Sequence, residues 1–173
     1  MHAVSVPYEL LQAVLPEPVP TWTDVVIRLL IATAIGGAIG LDRELTQKPA
    51  GLRTHALVSL GAALVTASAM QLGVPNTITH ADPASRVIQG IVAGIGFIGG
   101  GVILHAERQV KGLTTAASIF VAAGLGISCG IGKWRVALAA TAIALVVLTL
   151  GRPLEEGLHK IKGNSSADEP REK

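Results

Sequence analysis

Apolar residues gather in five blocks, at about Val25–Leu41, Thr54–Leu72, Val87–Leu104, Leu113–Ile131 and Trp134–Leu150. Each approaches the ~20 residues that a helix needs to cross about 30 Å of hydrocarbon. A helix climbs about 1.5 Å per residue, so even the shorter blocks nearly span. None has a polar stripe wide enough to face water, which argues against a water-soluble bundle. In a bilayer the backbone must bond to itself, so the blocks are predicted as helices. The expected fold class is an all-α membrane protein with five transmembrane helices.

The segments around the blocks divide the chain. Residues 1–23 read as an N-terminal tail without Lys or Arg, broken by Pro7, Pro16, Pro18 and Pro20. It lacks the basic start of a signal peptide. Tyr8 to Leu15 suit a short interfacial helix, and Trp22 suits the membrane boundary. Residues 24–151 hold the five-helix domain. Residues 152–173 form a tail in which Leu154, Leu158 and Ile161 recur at helical spacing beside Glu155, Glu156, Lys160 and Lys162. That pattern predicts a short amphipathic helix on the inner surface, with a disordered polar end from Gly163. No second folded domain fits after Leu150.

Composition sharpens the membrane assignment. Of 173 residues half are hydrophobic and 15% charged, against roughly 25% charged in a soluble domain. The mean hydropathy is +0.54. Aromatics fall to 3% while Gly reaches 20 residues, a mixture suited to close helix packing in lipid. The apolar content excludes intrinsic disorder, and a single cysteine excludes a disulfide scaffold. A net charge of +2 gives no sign of a nucleic-acid partner. The charge distribution is more informative. With Arg28 counted as intramembrane, alternate connections carry 3 basic residues (Arg86, Lys133, Arg135) against 10 on the opposite side. The positive-inside rule then puts the N-terminus outside and the C-terminus in the cytoplasm.

Four features could carry chemistry. Gly36–Gly40, Gly90–Gly94, Gly96–Gly100 and Gly126–Gly130 are GxxxG pairs, which expose backbone for a neighbouring helix. The run from Gly90 to Gly101 holds six glycines in twelve positions. It implies close packing or a broken helix whose freed carbonyls line a cavity. Second, an inner loop, Asp42 to His55, contains Arg43, Glu44, Lys48, Arg53 and Thr54. Asp42 and Glu44 are the hard oxygen ligands that Mg²⁺ accepts, and Arg43 or Arg53 could pair with them instead. Third, Arg28 and Arg86 are charges near the outer ends of spans, with Asp24 and Asp82 each four residues earlier and Gln89 nearby. Such groups face a partner or a water-filled cavity, or reach out to the head groups. Fourth, Thr114 or Thr115 could cap the fourth span, with Ser118 on the face of Thr114. The chain has no GxSxG, HExxH, Walker loop or CxxC, and no serine or cysteine with an evident base, so it is not expected to be an enzyme. Cys129 reads as a packing residue.

Together, "IGLDRE" (Ile39–Glu44), "KPAGLRTHALVSLGAAL" (Lys48–Leu64), "DPASRVIQGIVAGIGFIGGGVI" (Asp82–Ile103) and "GLTTAASIFVAAGLGISCG" (Gly112–Gly130) resemble the MgtC/SapB family of bacterial inner-membrane proteins. The resemblance runs from about Arg28 to Ile131. It implies five spans with the N-terminus outside, a link to magnesium limitation and, in pathogens, survival inside host cells. Family residues map onto Arg28, Asp42, Arg43, Glu44, Arg53, Thr54, His55, Asp82, Arg86, Thr114 and Thr115. Phe120 stands where members usually carry a nearby Trp, and the tail resembles the short branch without a C-terminal cytoplasmic domain. The expected role is magnesium-linked homeostasis in the inner membrane, exerted through contacts with other membrane proteins. The resemblance brings in the ATP synthase as one such partner, and the glycine faces suggest a homodimer. The alternative is a transporter or channel for Mg²⁺ or another small solute, with Asp42 and Glu44 at its inner mouth.

Overall fold

A computed structural model describes residues 20–72, 83–106 and 109–165. Among these residues five helices follow one another: α1 (Trp22–Leu45), α2 (Leu52–Leu72), α3 (Pro83–Val102), α4 (Leu113–Ile131) and α5 (Trp134–Ser165). Between α3 and α4 lies a two-stranded antiparallel ribbon, β1 (Leu104–Ala106) and β2 (Gln109–Lys111), with Leu104 opposite Lys111. The described residues are all-α apart from this hairpin, which the hydrophobic pattern did not separate from the third span.

Four helices are long and apolar enough to cross a membrane by length and composition: α1, Ala84–Val102 of α3, α4, and Trp134–Gly151 of α5. The 21 residues of α2 also have the length. Its apolarity is diluted by Arg53, Thr54, His55, Ser59, Thr66, Ser68 and Gln71. Several of these are the most deeply placed polar groups among the described residues. His55, Ser59 and Thr66 each have no exposed surface.

The core explains why. Helix α2 lies between α1 and α4, which also touch each other. Ala32, Ile35 and Ile39 of α1 meet Ala63 of α2, Leu125 and Cys129 of α4, and Ala137 of α5. A second cluster joins Ala62 of α2, Ile95 of α3, and Ile119, Ala123 and Ile127 of α4. Helices α3 and α5 therefore flank a three-helix centre.

Several boundaries moved. Helix α1 starts at Trp22 behind a capping box: Asp24 N–H donates to Thr21 Oγ1 (3.3 Å) and Thr21 N–H to Asp24 Oδ2 (3.0 Å). At its other end α1 carries Asp42, Arg43 and Glu44, read above as loop, within the helix. No Gly or Pro interrupts the chain between Gly40 and Pro49, so the helix continues past the apolar block. Neither Thr114 nor Thr115 caps α4. Gly112, at φ +91°, occupies the N-cap without a side-chain bond, and Ala116 N–H reaches the Gly112 carbonyl at 2.8 Å. The left-handed glycine turns the chain from the ribbon straight into the helix, leaving both threonines inside the first turn.

Helix α3 runs unbroken through its glycine run, so the discontinuous-helix reading does not hold. Helix α5 continues to Ser165 without a separate surface element beginning after Leu150. The helix expected at Tyr8–Leu15, Asp82, Arg108 and residues 166–173 lie outside the described residues.

Candidate functional site

The final turns of α1 place Gly36, Ile39, Gly40 and Arg43 on one stripe, all of it buried. A side chain at i recurs on the same face at i+3, i+4 and i+7, so Arg43 is carried inward with the glycines. It is 3% exposed, and its Nη2 donates to Thr115 Oγ1 of α4 at 2.7 Å. Burying a guanidinium is expensive unless it is hydrogen-bonded, so this hydroxyl helps make the position tenable.

From α2, His55 enters the same interior. Its Nδ1 lies 3.1 Å from the Gly51 carbonyl and its Nε2 lies 2.9 Å from Ser118 Oγ. A carbonyl only accepts, so Nδ1 carries a proton here. In the neutral ring Nε2 then accepts from the Ser118 hydroxyl. In the imidazolium Nε2 donates, and the hydroxyl turns to the Thr115 carbonyl, 2.8 Å away. Arg43, His55, Thr115 and Ser118 thus link α1, α2 and α4 through a compact polar cluster in which the Ser118 hydroxyl has two alternative acceptors.

Glycine lets the three helices close around it. A Cβ at Gly36 would lie 2.5 Å from the His55 carbonyl oxygen and 2.6 Å from Ser59 Cβ. At Gly40 it would come 2.7 Å from the Gly51 carbonyl oxygen, at Gly126 it would strike the Ser59 carbonyl, and at Gly130 it would lie 2.7 Å from the Ala63 carbonyl oxygen. Two residues beneath these contacts escaped the sequence reading. Ser59 Oγ and Thr66 Oγ1 are buried without a hydrogen-bond partner among the described residues. The signal was present in α2: His55, Ser59 and Thr66 recur at intervals of four and seven, one helical stripe.

The other candidates separate into distinct places. Asp42 and Glu44 are two residues apart on a continuous helix, about 200° round its axis, and so do not converge on one ion. Glu44 Oε2 instead accepts the Leu52 N–H at 3.0 Å, tying α1 to the start of α2. Among the described residues no group of three or more His, Cys, Asp or Glu could hold a metal. The tentative Mg²⁺ pair is therefore not assembled by this geometry. Exposed Arg53 and Thr54 line a groove with Glu44, Gln47 and Lys48.

Near the start of α1, Arg28 Nη1 donates to the Gly130 carbonyl at 3.2 Å, beside the left-handed Gly132. A cation there complements the carbonyl end of α4. Arg86 and Gln89 are exposed on α3, and nothing among the described residues joins Arg86 to Arg28. Among the described residues a Cβ at Gly90, Gly94, Gly96 or Gly100 would meet nothing within 4 Å, whereas Gly36 and Gly40 pack as GxxxG residues should.

The family model described as the MgtC family matches residues 29–157. The protein MgtC of Salmonella typhimurium (strain LT2) is 40% identical over 136 residues, 79% of this chain and 56% of that protein. SrpB of Synechococcus elongatus is 37% identical over 140 residues, 76% of this chain and 77% of its own length. YhiD of Escherichia coli (strain K12), named as a candidate magnesium transporter, is 40% identical over 126 residues, 71% of this chain and 58% of its own. The chain thus spans less than three fifths of the length of the MgtC and YhiD relatives. No solved structure matches.

Proposed function

Because the chain belongs to the MgtC family, a family whose apolar helices make it a membrane protein, we propose that it acts in adaptation to low magnesium through contacts with other proteins of the bacterial inner membrane. In this reading all five helices cross the bilayer, α2 included, with the N-terminus outside and the C-terminus cytoplasmic. The excess of Lys and Arg on one set of connections supports that orientation. The polar side chains of α2 do not oppose it, because α1 and α4 cover His55, Ser59 and Thr66.

The observation that carries the proposal is the state of α3. Its glycines at 90, 94, 96, 100 and 101 face no neighbour, and Phe97 is 85% exposed among them. Helix association in lipid depends on close backbone approach at small residues rather than on hydrophobic burial. A face of this kind is suited to another transmembrane helix, either from a different membrane protein or from a second copy. The test is affinity capture from native membranes, with and without magnesium starvation, comparing wild type with Gly94→Leu and Gly100→Leu. Both variants should lose the captured membrane proteins or the dimer while keeping wild-type thermal stability in detergent. Unchanged capture by both would defeat the proposal.

The name of YhiD supports a second reading, direct transport of Mg²⁺. Proteoliposomes decide between the two. Mg²⁺ uptake into vesicles that hold this protein alone would favour transport over the interaction model.

A further inference from the structure

The connection from α1 to α2 builds a groove that neither the polar cluster nor the α3 face uses. Its volume is about 560 Å³, lined by Glu44, Gln47, Lys48, Gly51, Leu52, Arg53 and Thr54. The floor is held by backbone bonds. Gln47 N–H donates to the Glu44 carbonyl (3.0 Å) and Lys48 N–H to the Arg43 carbonyl (2.9 Å). Gln47 and Ala50 both sit at positive φ, 53° and 58°, a conformation non-glycine residues adopt only when their surroundings impose it. The groove is therefore preformed rather than a chance opening between loose side chains.

Its charge is unbalanced. Lys48 and Arg53 face a single carboxylate, Glu44, whose Oε2 is already engaged by the Leu52 N–H. Among the described residues neither cation forms an ion pair. A side chain at Gly51 would come within 2.9 Å of Glu44 Oε2, so glycine there lets the carboxylate fold back against the chain. Two exposed cations then remain, beside the hydroxyl of Thr54 and the amide of Gln47. Arginine binds a tetrahedral oxyanion through its forked N–H groups and lysine adds a point charge, while hydroxyl and amide supply further donors.

We propose that this groove binds a phosphate group through Lys48 and Arg53. Two sources carry that chemistry: the phosphodiester of an anionic lipid headgroup, and a soluble phosphate. The lipid source uses the membrane orientation proposed above; the soluble source does not.

The experiment is native mass spectrometry of the full chain in detergent, titrated with phosphatidylglycerol, with phosphatidylcholine as the zwitterionic control, and with inorganic phosphate as competitor. The variants are Lys48→Gln with Arg53→Gln, and Lys111→Gln as an exposed basic control outside the groove. Phosphatidylglycerol should bind wild type in preference to phosphatidylcholine, and the double variant should bind it about ten-fold more weakly, the order expected for two partly exposed charged contacts. Retention of that lipid against millimolar inorganic phosphate assigns the lipid source, and displacement assigns the soluble one. Equal binding by wild type and the double variant overturns the site, as does an equal loss in Lys111→Gln. Because Lys48 and Arg53 are exposed, both variants should fold. Coinciding thermal midpoints check this, and the single Arg53→Gln, expected to bind phosphatidylglycerol about three-fold more weakly, keeps the test decisive if the double variant does not fold.

Discussion

Replacing Gly36 with alanine adds one methyl group at the tightest point between α1 and α2. That Cβ would lie 2.5 Å from the His55 carbonyl oxygen and 2.6 Å from Ser59 Cβ, where ordinary contact begins at 3.4 Å. Both obstructions sit at or beside backbone, so no side-chain rotation relieves them. The two helices must part by about 1 Å, and overpacking of this kind costs about 1–3 kcal/mol. Alanine also favours the helix over glycine by up to about 1 kcal/mol, which would blur a single measurement. Gly94 on α3 removes the ambiguity. It too is mid-helix, but nothing lies within 4 Å of its Cβ position. The helix-propensity gain is common to Gly36→Ala and Gly94→Ala, so their difference isolates packing. At about 2–4 °C per kcal/mol for a chain of this size, the Gly36 variant should melt about 2–12 °C below the Gly94 variant. Thermal unfolding in one detergent, followed by circular dichroism, measures it. Midpoints within about a degree, or in the reverse order, would refute the claim that α1 seats its glycine stripe on α2 while the α3 glycines face outward.

Two further outcomes follow from the buried polar groups. Thr115→Val removes an acceptor of the buried Arg43 guanidinium, so it should destabilise by about 1–3 kcal/mol; unfolding of Thr115→Val, Arg43→Met and the double variant should show non-additive losses. Arg28→Met keeps the apolar stem but withdraws the cation from the end of α4, costing about 1 kcal/mol, and amide exchange should rise selectively around Gly130–Gly132.

Most of the architecture was legible because a bilayer imposes a coarse rule: helices of sufficient length and apolarity recur wherever the chain crosses it. The site was less so. GxxxG is written four times in this chain, yet Gly36–Gly40 and Gly126–Gly130 are interior seams while Gly90–Gly94 and Gly96–Gly100 touch nothing. The motif encodes the capacity for close approach, not the partner. What decides the partner is the opposing surface. Helix α2 carries His55, Ser59 and Thr66 along one stripe, and polar groups in lipid require protein cover. Cover at backbone distance needs glycine on the covering helices, which α1 and α4 supply at Gly36 and Gly126 against Ser59 itself. The least apolar block was therefore the informative one: its polarity marked it as the central helix. Arg43 follows the same logic, seven residues after Gly36 on the stripe that seats on α2, and is buried in the helix for that reason rather than placed in a loop. Helix α3 has no polar stripe of α2 to cover, so its glycines keep their capacity for a contact outside the chain.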